Sequence, residues 1–91
     1  MKIERKKWDG KWRIVVFDIP EKKKGVRNAL RRKLKELGFY ELQKSVFVFP
    51  YECGNEIEFI VEFFELRPYV RTGVLEKIDN TTHLKRIFKL A

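Results

Sequence analysis

The alternation of apolar and polar positions predicts the elements of this chain in order. Residues 12–18 are apolar on both faces of an extended strand until Asp18, which predicts a central strand that ends at this carboxylate. From residue 20 to Leu37 the apolar side chains recur at three- and four-residue spacing, which predicts an amphipathic helix. Gly38 follows directly and is a suitable residue to end that helix.

The remaining pattern predicts four further elements and a tail. Two β-type runs, residues 39–43 and 45–49, leave room for only a tight turn between them. Residues 56–66 have the spacing of a second helix, and residues 69–75 alternate as a fourth strand. Asn80 is placed to begin a short terminal helix.

Strand, helix, strand, strand, helix, strand is the order of the ferredoxin-like fold. We therefore predict an α+β, ferredoxin-like βαββαβ domain, in which a four-stranded antiparallel sheet carries two helices on one face and a short C-terminal helix follows. The domain spans residues 12–79, after a basic arm or linker at residues 1–11 and before a helical tail at residues 80–91. In the arm, Trp8 is expected to fold back onto the domain. The two helices leave the other sheet face bare, and a second copy of the chain is the simplest cover for it.

Size and composition narrow the class of protein. A chain of 91 residues buries only about 60% of its unfolded surface, so a homodimer would gain stability. The single cysteine, Cys53, excludes an intrachain disulfide and suits a reducing compartment. The charged N-terminus lacks the pattern of a signal peptide, and no run approaches the ~20 apolar residues of a membrane span. We therefore expect a cytoplasmic protein that has no membrane partner.

The net charge of +8 is unevenly distributed. Residues 1–35 hold 14 basic and four acidic side chains, residues 36–66 hold one and seven, and residues 67–91 hold six and two. The basic part favours a polyanion, DNA or RNA, and the acidic part could meet the basic part of a second copy. A solvated, charged surface is the alternative interpretation. The predicted nucleic-acid-binding residues are Lys22, Lys23, Lys24, Arg27, Arg31, Arg32 and Lys35.

Asp18 is the principal candidate for chemistry, because a carboxylate is costly at the end of an apolar strand. Glu21 stands three residues later and Pro20 lies between them, which is the spacing of a helix-capping box. Alternatively, Asp18 could bind Mg²⁺ together with the Asp18 of a second copy and support attack of water on a phosphodiester. The two roles do not exclude each other. No phosphate-binding glycine loop is present, and His83 is the only histidine.

A dimer interface is expected at the second and third strands. Gln43 carries an amide that could hydrogen-bond across it, and aromatic side chains of the third strand could lie on the bare face. The predicted interface residues are Gln43, Ser45, Phe47 and Phe49.

Several segments resemble the CRISPR-associated endoribonuclease 2 family over residues 12–75. These are the strand ending IVVFD at Asp18, the basic helix with Leu-Arg-Arg and its glycine stop, and the Gln-x-Ser-Val-Phe segment at residues 43–47. The resemblance implies ferredoxin-like homodimers that act in spacer acquisition and antiviral defence, with a CRISPR integrase subunit as partner. Several members are metal-dependent nucleases, and Asp18 occupies the position of the family's first-strand aspartate.

Other segments are most similar to the central domain of PaaX-type transcriptional repressors, which is itself of the CRISPR-associated type. They are WDGKWR at residues 8–13, DIP at residues 18–20 and SVFVFP at residues 45–50. This resemblance implies a dimerising scaffold in transcriptional regulation, fused to a winged-helix domain, and it does not imply nuclease activity.

Three functions remain open at this point. The first is a dimeric, nucleic-acid-associated core domain of the PaaX type, and the second is a Mg²⁺-dependent endonuclease or spacer-acquisition subunit, which requires Asp18. The third is a single-stranded RNA-binding module in which Phe47 or Phe49 stacks on bases. Whether the chain is an enzyme is therefore not decided by its residues.

Overall fold

The structure, a computed structural model, describes residues 7–90. It is an α+β fold with a four-stranded sheet. The second strand of the chain lies at one edge and is followed by the third, the first and the fourth, and every neighbouring pair is antiparallel. The predicted ferredoxin-like architecture is confirmed. Residues 1–6 of the predicted basic arm and residue 91 of the tail lie outside the described residues. The elements are β1 (Trp12–Phe17), α1 (Lys24–Glu36), β2 (Tyr40–Gln43), β3 (Val46–Phe49), α2 (Gly54–Phe63), β4 (Val70–Leu75) and α3 (Thr81–Ile87).

Strand β1 lies in the middle of the sheet, as its apolar character on both faces predicts. It pairs with β3, where Val15 stands opposite Phe47, and with β4, where Phe17 stands opposite Val70. Alternate residues of β1 point to opposite faces of the sheet. One face therefore receives Val15 and Phe17, and the other receives Trp12 and Ile14.

The principal core lies between the sheet and the two helices α1 and α2. Apolar side chains at helical spacing, such as Leu30 and Leu34 in α1, are buried against the strands. Aromatic side chains fill the sheet side of this core, where the rings of Phe39 and Phe49 stack with centroids 4.8 Å apart. Gly38 ends α1 with a φ of 102°, a left-handed conformation that a residue without Cβ adopts at little cost.

The opposite face of the sheet is covered in part by the chain itself, which corrects the expectation of a bare face. Leu84 of α3 is 0% exposed and packs on Trp12 and Val48. Trp8 folds back as expected, and its ring centroid lies 4.9 Å from that of Trp12. A second copy is therefore not needed to shield this part of the sheet. The reason is that α3, although only seven residues long, belongs to the same chain as the sheet and follows β4 after residues 76–80. It therefore places its apolar side on this face without the entropy cost of association.

Both principal helices start at positions that differ from the predicted bounds, and α2 also ends earlier than predicted. Residues Glu21–Lys23 form a 3-10 turn, so α1 begins only at Lys24. Helix α2 begins at Gly54, whose N–H donates to the Glu52 carboxylate at 2.6 Å, and it ends at Phe63. None of the helices formed by residues 7–90 is long and apolar enough to cross a membrane.

Candidate nucleic-acid interface

Three adjacent lysines are presented to solvent where α1 begins. Lys22 and Lys23 belong to the 3-10 turn, Lys24 is the first residue of α1, and all three are exposed. Within residues 7–90, none of their ammonium groups forms an ion pair or a side-chain hydrogen bond. These three side chains, which we name the lysine cluster, are therefore free to meet phosphate oxygens.

Arg31 and Lys35, by contrast, are held by the protein. Arg31 Nη2 donates to Glu41 Oε2 at 2.9 Å, and its Nη1 donates to the carbonyl of Lys44 in the turn between β2 and β3. The guanidinium carbon lies 5.7 Å from the ring centroid of Phe47, and Lys35 Nζ lies 3.3 Å from Glu41 Oε1. The hydrogen bond from Arg31 lowers the pKa of Glu41 below its ordinary value. These two cations connect α1 to the edge of the sheet. Because Glu41 already compensates part of their charge, they attract a phosphate less strongly than an unpaired cation does.

The remaining predicted residues, Arg27 and Arg32, lie in different surroundings. Arg27 Nη1 is 3.2 Å from Glu21 Oε2, so its charge is partly compensated beside the lysine cluster. Arg32 is exposed and lines a groove between α1 and α2. The seven predicted residues therefore do not form one uniform surface. Within residues 7–90, Arg27, Arg31 and Lys35 are paired with carboxylates, whereas the lysine cluster and Arg32 are not.

Asp18 does not cap a helix, which corrects the predicted capping box. The residue is exposed, and within residues 7–90 only its backbone forms a hydrogen bond, in which the N–H donates to the carbonyl of Tyr69 at 2.9 Å. Pro20 occupies the N-cap position of the 3-10 turn, and no side chain caps that turn or α1. The carboxylate of Glu21 turns toward Arg27 instead. The extra turn before α1 displaces Asp18 from the helix end that it was expected to cap.

The Asp18 side chain lines an open recess of about 590 Å³ at the end of β1. Pro20, Tyr69 and Arg71 line the same recess. Mg²⁺ requires several oxygen ligands in octahedral geometry, and the Arg71 guanidinium opposes a dication. Within residues 7–90, no group of three or more His, Cys, Asp or Glu side chains could hold a metal ion. The described residues of one chain therefore do not fit the ion, and the paired site with a second copy stays a prediction.

Phe47 and Phe49 are not available to a partner, which corrects their assignment to a dimer interface. Both are 0% exposed in the core beneath the helices. Their burial also removes the sheet aromatics that a single-stranded RNA-binding module would need. Ser45 is half-buried in the tight turn, where its carbonyl accepts the N–H of Phe17 at 3.1 Å, and Gln43 is exposed at the end of β2.

Two phenylalanines of α2 were not among the predicted functional residues. Phe59 and Phe63 are 59% and 70% exposed, on the outer side of the helix. Their positions in the sequence could have indicated this exposure, because both fall outside the apolar stripe formed by Ile57, Ile60 and Val61. Large apolar side chains that share the polar face of a helix indicate an interaction surface.

The WDGKWR segment at residues 8–13 is a structural clamp. Both Arg13 Nη atoms donate to the Asp9 carboxylate, at 2.9 and 2.7 Å, and Arg13 Nη1 also donates to the carbonyl of Pro50 at 2.8 Å. Trp8 Nε1 donates to the carbonyl of Lys11 at 2.9 Å. The hydrogen bond from Arg13 lowers the pKa of Asp9 to about 2. These bonds thus hold residues 8–11 against the sheet.

Neither Cys53 nor His83 forms a nucleophilic site. Burial raises the pKa of the Cys53 thiol to about 12, so the thiol is neutral at physiological pH. His83 is exposed on α3, and its ring meets that of Tyr40 edge-on at 6.1 Å.

Comparison with known proteins identifies the family. The family model described as the PaaX protein central Cas2-like domain matches residues 5–86. That range includes all four strands, α1, α2 and all but the last residue of α3. Searches of the curated proteins and of the solved structures gave no match. Because the family model covers most of the chain, this protein belongs to the family of PaaX central Cas2-like domains.

Proposed function

We propose that this domain is the nucleic-acid-associated core of a PaaX-type transcriptional regulator, acting in the cytoplasm as a homodimer. The observation that carries the proposal is the lysine cluster, three exposed cations at the start of α1 that no carboxylate of the described residues pairs. Its role is to hold DNA or RNA by the phosphates, while a winged-helix domain elsewhere in the regulator reads the bases. Family membership supports the regulatory part of the proposal.

The chemistry of the cluster favours binding without sequence preference. Lysine ammonium groups act as mobile point charges and lack the fixed fork with which arginine recognises a guanine edge. Contacts to phosphate position a protein on nucleic acid and carry no sequence information. Arg27 lies next to the cluster but is already paired with Glu21, so it adds little.

Charge reversal of the cluster tests the proposal. The variant Lys22→Glu/Lys23→Glu/Lys24→Glu should lose about tenfold or more in affinity for a fluorescein-labelled DNA duplex, measured by anisotropy at low salt. The matched control, Lys77→Glu/Arg86→Glu/Lys89→Glu, makes the same change in net charge with exposed residues of the C-terminal segment. Equal losses in the two variants would show that only net charge matters and would refute the assignment to the cluster.

A second candidate function is phosphodiester hydrolysis that depends on Asp18. The observation in its favour is that the Asp18 carboxylate is exposed, is not used as a cap and lines a recess. It ranks second because residues 7–90 of one chain do not supply the ligands of Mg²⁺, so a second copy would have to contribute its own Asp18.

The test is Asp18→Asn, assayed with RNA and DNA oligonucleotides in the presence of Mg²⁺. Cleavage by the wild type that the variant lacks would establish the enzyme. Activity that is the same in both proteins, or absent from both, would eliminate this function. Because Asp18 caps no helix, the variant should fold as the wild type does, and circular dichroism checks this.

A further inference from the structure

We propose that single-stranded DNA binds along the outer face of α1 and α2, with its phosphates on α1 and its bases stacked on Phe59 and Phe63. These two side chains, which we name the phenylalanine pair, are the most exposed phenylalanines of the described residues. The inference rests on the proposed function, because the strand begins at the lysine cluster. It adds the class of nucleic acid and a second set of contacts.

A row of polar side chains on α1 leads from the lysine cluster toward the phenylalanine pair. Lys24, Asn28 and Arg32 are exposed and stand four residues apart, so they lie on one side of the helix at intervals of about 6 Å. Within residues 7–90, neither Lys24 nor Arg32 is paired with a carboxylate. The row therefore gives an extended phosphate backbone about 12 Å of contacts along the helix.

Arg32 connects this row to the phenylalanine pair. Its side chain shares an open concavity of α1 with Asn28, and it also lines a groove of about 300 Å³ together with both phenylalanines. A guanidinium can bond to a phosphate oxygen, and its planar face can also stack on a base. Arg32 thus stands where a strand would turn its bases from the phosphate row toward α2.

The phenylalanine pair has the geometry of a stacking surface. The two rings lie 23° from parallel, with centroids 6.3 Å apart, and the ring of Phe64 contacts that of Phe63 edge-on at 5.1 Å. Every base has a flat π-face, so stacking on exposed aromatic rings tolerates any sequence. The bases of a duplex are already paired and stacked on one another, whereas those of a single strand can reach the rings. A single strand is therefore the form of nucleic acid that uses both the phosphate row and the phenylalanine pair.

The charges of this face fit a nucleic-acid strand better than an acidic peptide. Glu58 and Glu62 of α2 share the guanidinium of Arg67, and Glu58 lines the cleft toward β4, so the carboxylates lie on the side of α2 away from α1. A single strand carries its negative charges on one side and neutral bases on the other. Its phosphates can lie over the cations of α1 while its bases lie over α2. An acidic peptide has no such division and would bring its own carboxylates against those of α2.

The groove has no group suited to select RNA. The described side chains that line it include no hydroxyl and no amide that could bond to a 2′-hydroxyl group, and Glu36 lies 3.7 Å from Lys33 Nζ. The 2′-hydroxyl is the group by which a protein distinguishes RNA from DNA. Because the proposed regulator acts on DNA, we take DNA as the occupant.

Anisotropy with a fluorescein-labelled oligo(dT) of about 20 nucleotides tests the stacking contacts. Phe59→Leu/Phe63→Leu keeps two apolar side chains but removes both rings. It should weaken the binding of oligo(dT) about tenfold or more and change the affinity for a duplex of the same length by less than about twofold. The matched control, Phe59→Tyr/Phe63→Tyr, keeps the rings and should bind oligo(dT) as the wild type does. Both positions are exposed, so the variants should fold normally, which circular dichroism checks.

Three results would overturn the assignment. If the leucine variant binds oligo(dT) as the wild type does, or if the tyrosine variant loses as much affinity as the leucine variant, the rings do not stack on bases. If oligo(U) binds about tenfold more tightly than oligo(dT), the occupant is RNA. If the leucine changes abolish capture of an acidic peptide or self-association while oligo(dT) binding is unchanged, the pair is a protein-binding surface.

A second variant tests the connecting side chain. Arg32→Ala should weaken the binding of oligo(dT) more than Arg86→Ala does, although both remove one exposed arginine. Equal losses would show that Arg32 contributes only net charge, which contradicts its place between the phosphate row and the phenylalanine pair.

The phenylalanine pair and the lysine cluster can fail separately. The charge-reversed cluster variant should lose affinity for the duplex and for oligo(dT) alike, whereas the leucine variant should lose affinity only for oligo(dT). If the cluster variant behaves so and the leucine variant binds both as the wild type does, this inference is wrong and the proposed function stands. If the leucine variant alone loses affinity, the stacking contacts stand and the assignment to the lysine cluster is wrong.

Discussion

Two arginine side chains, those of Arg13 and Arg31, connect separate segments of the fold, although both belong to the strongly basic stretch at residues 1–35. Arg13 joins the N-terminal clamp to the carbonyl after β3 through a two-pronged bond to Asp9 and a bond to Pro50. Arg31 joins α1 to the β2–β3 turn in the same way. Only a planar guanidinium has several donors in a fixed geometry, so lysine would not replace either residue fully.

At the residue scale, the Asp9–Arg13 pair predicts a pH dependence of stability. Arg13 lowers the pKa of Asp9 from 3.8 to about 2 in the folded state, whereas the unfolded chain takes up this proton at the higher value. The stabilisation is therefore complete above about pH 4 and is lost as the pH falls from about 4 to about 2. Urea denaturation followed by tryptophan fluorescence should show this loss, and Asp9→Asn should reduce it.

The control for this prediction is Asp79→Asn, which removes an exposed carboxyl elsewhere in the chain. It should leave the acid dependence between pH 4 and pH 2 close to that of the wild type. A steeper acid loss in Asp9→Asn than in the wild type would contradict the assignment.

At the scale of elements, α3 is an integral part of the fold. It is seven residues long, too short to be a stable helix in isolation, so its structure depends on packing. Leu84 is fully buried on Trp12 and Val48, and Phe88 contacts both core clusters. The segment that the pattern presents as a tail therefore closes a second, smaller core on the far side of the sheet.

Leu84→Ala should destabilise the protein by about 2–4 kcal/mol, because it opens a cavity in that second core. The matched control on the same helix, Ile87→Ala, changes a side chain that is 37% exposed and should cost less than about 1 kcal/mol. Chemical denaturation of both variants measures the difference. Equal, small effects would mean that α3 contributes little to the stability of the domain.

At the scale of the whole molecule, positive and negative charges are separated onto different surfaces. Among the described residues, the lysine cluster carries charge that no carboxylate pairs where α1 begins, whereas Glu58 and Glu62 of α2 share the guanidinium of Arg67. Salt should therefore weaken the binding of DNA by the cluster. The affinity for DNA falls with a logarithmic salt slope of about 0.9 per phosphate contact.

Removal of the lysine cluster should therefore lower the salt slope of DNA binding by about 3, one unit for each lost contact. Anisotropy titrations between about 50 and 200 mM salt measure this slope for the cluster variant and for its C-terminal control. An unchanged slope in the cluster variant would indicate that these lysines do not touch phosphate.

The sequence alone determined the order of the elements, the central position of β1 and the end of α1 at Gly38. These features are local. The spacing of apolar residues indicates the type of each element and which of its faces are buried. A glycine just after a helical pattern is suited to end the helix through a positive φ, which depends mainly on the glycine itself. The family membership also follows from local segments, since the family model matches residues 5–86.

The tertiary structure alone decided which surfaces are left free. Phe47 lies in the core while Phe63 faces solvent, although both are phenylalanines in apolar segments. A strand that is apolar on both faces does not reveal which face the helices will cover, and a short C-terminal segment does not reveal that it will pack on the other. The Asp18 side chain caps no helix and the Arg31 side chain is bonded to Glu41, and both outcomes have the same physical reason. The position at which a helix begins and the contact of a side chain with another element depend on how the elements pack.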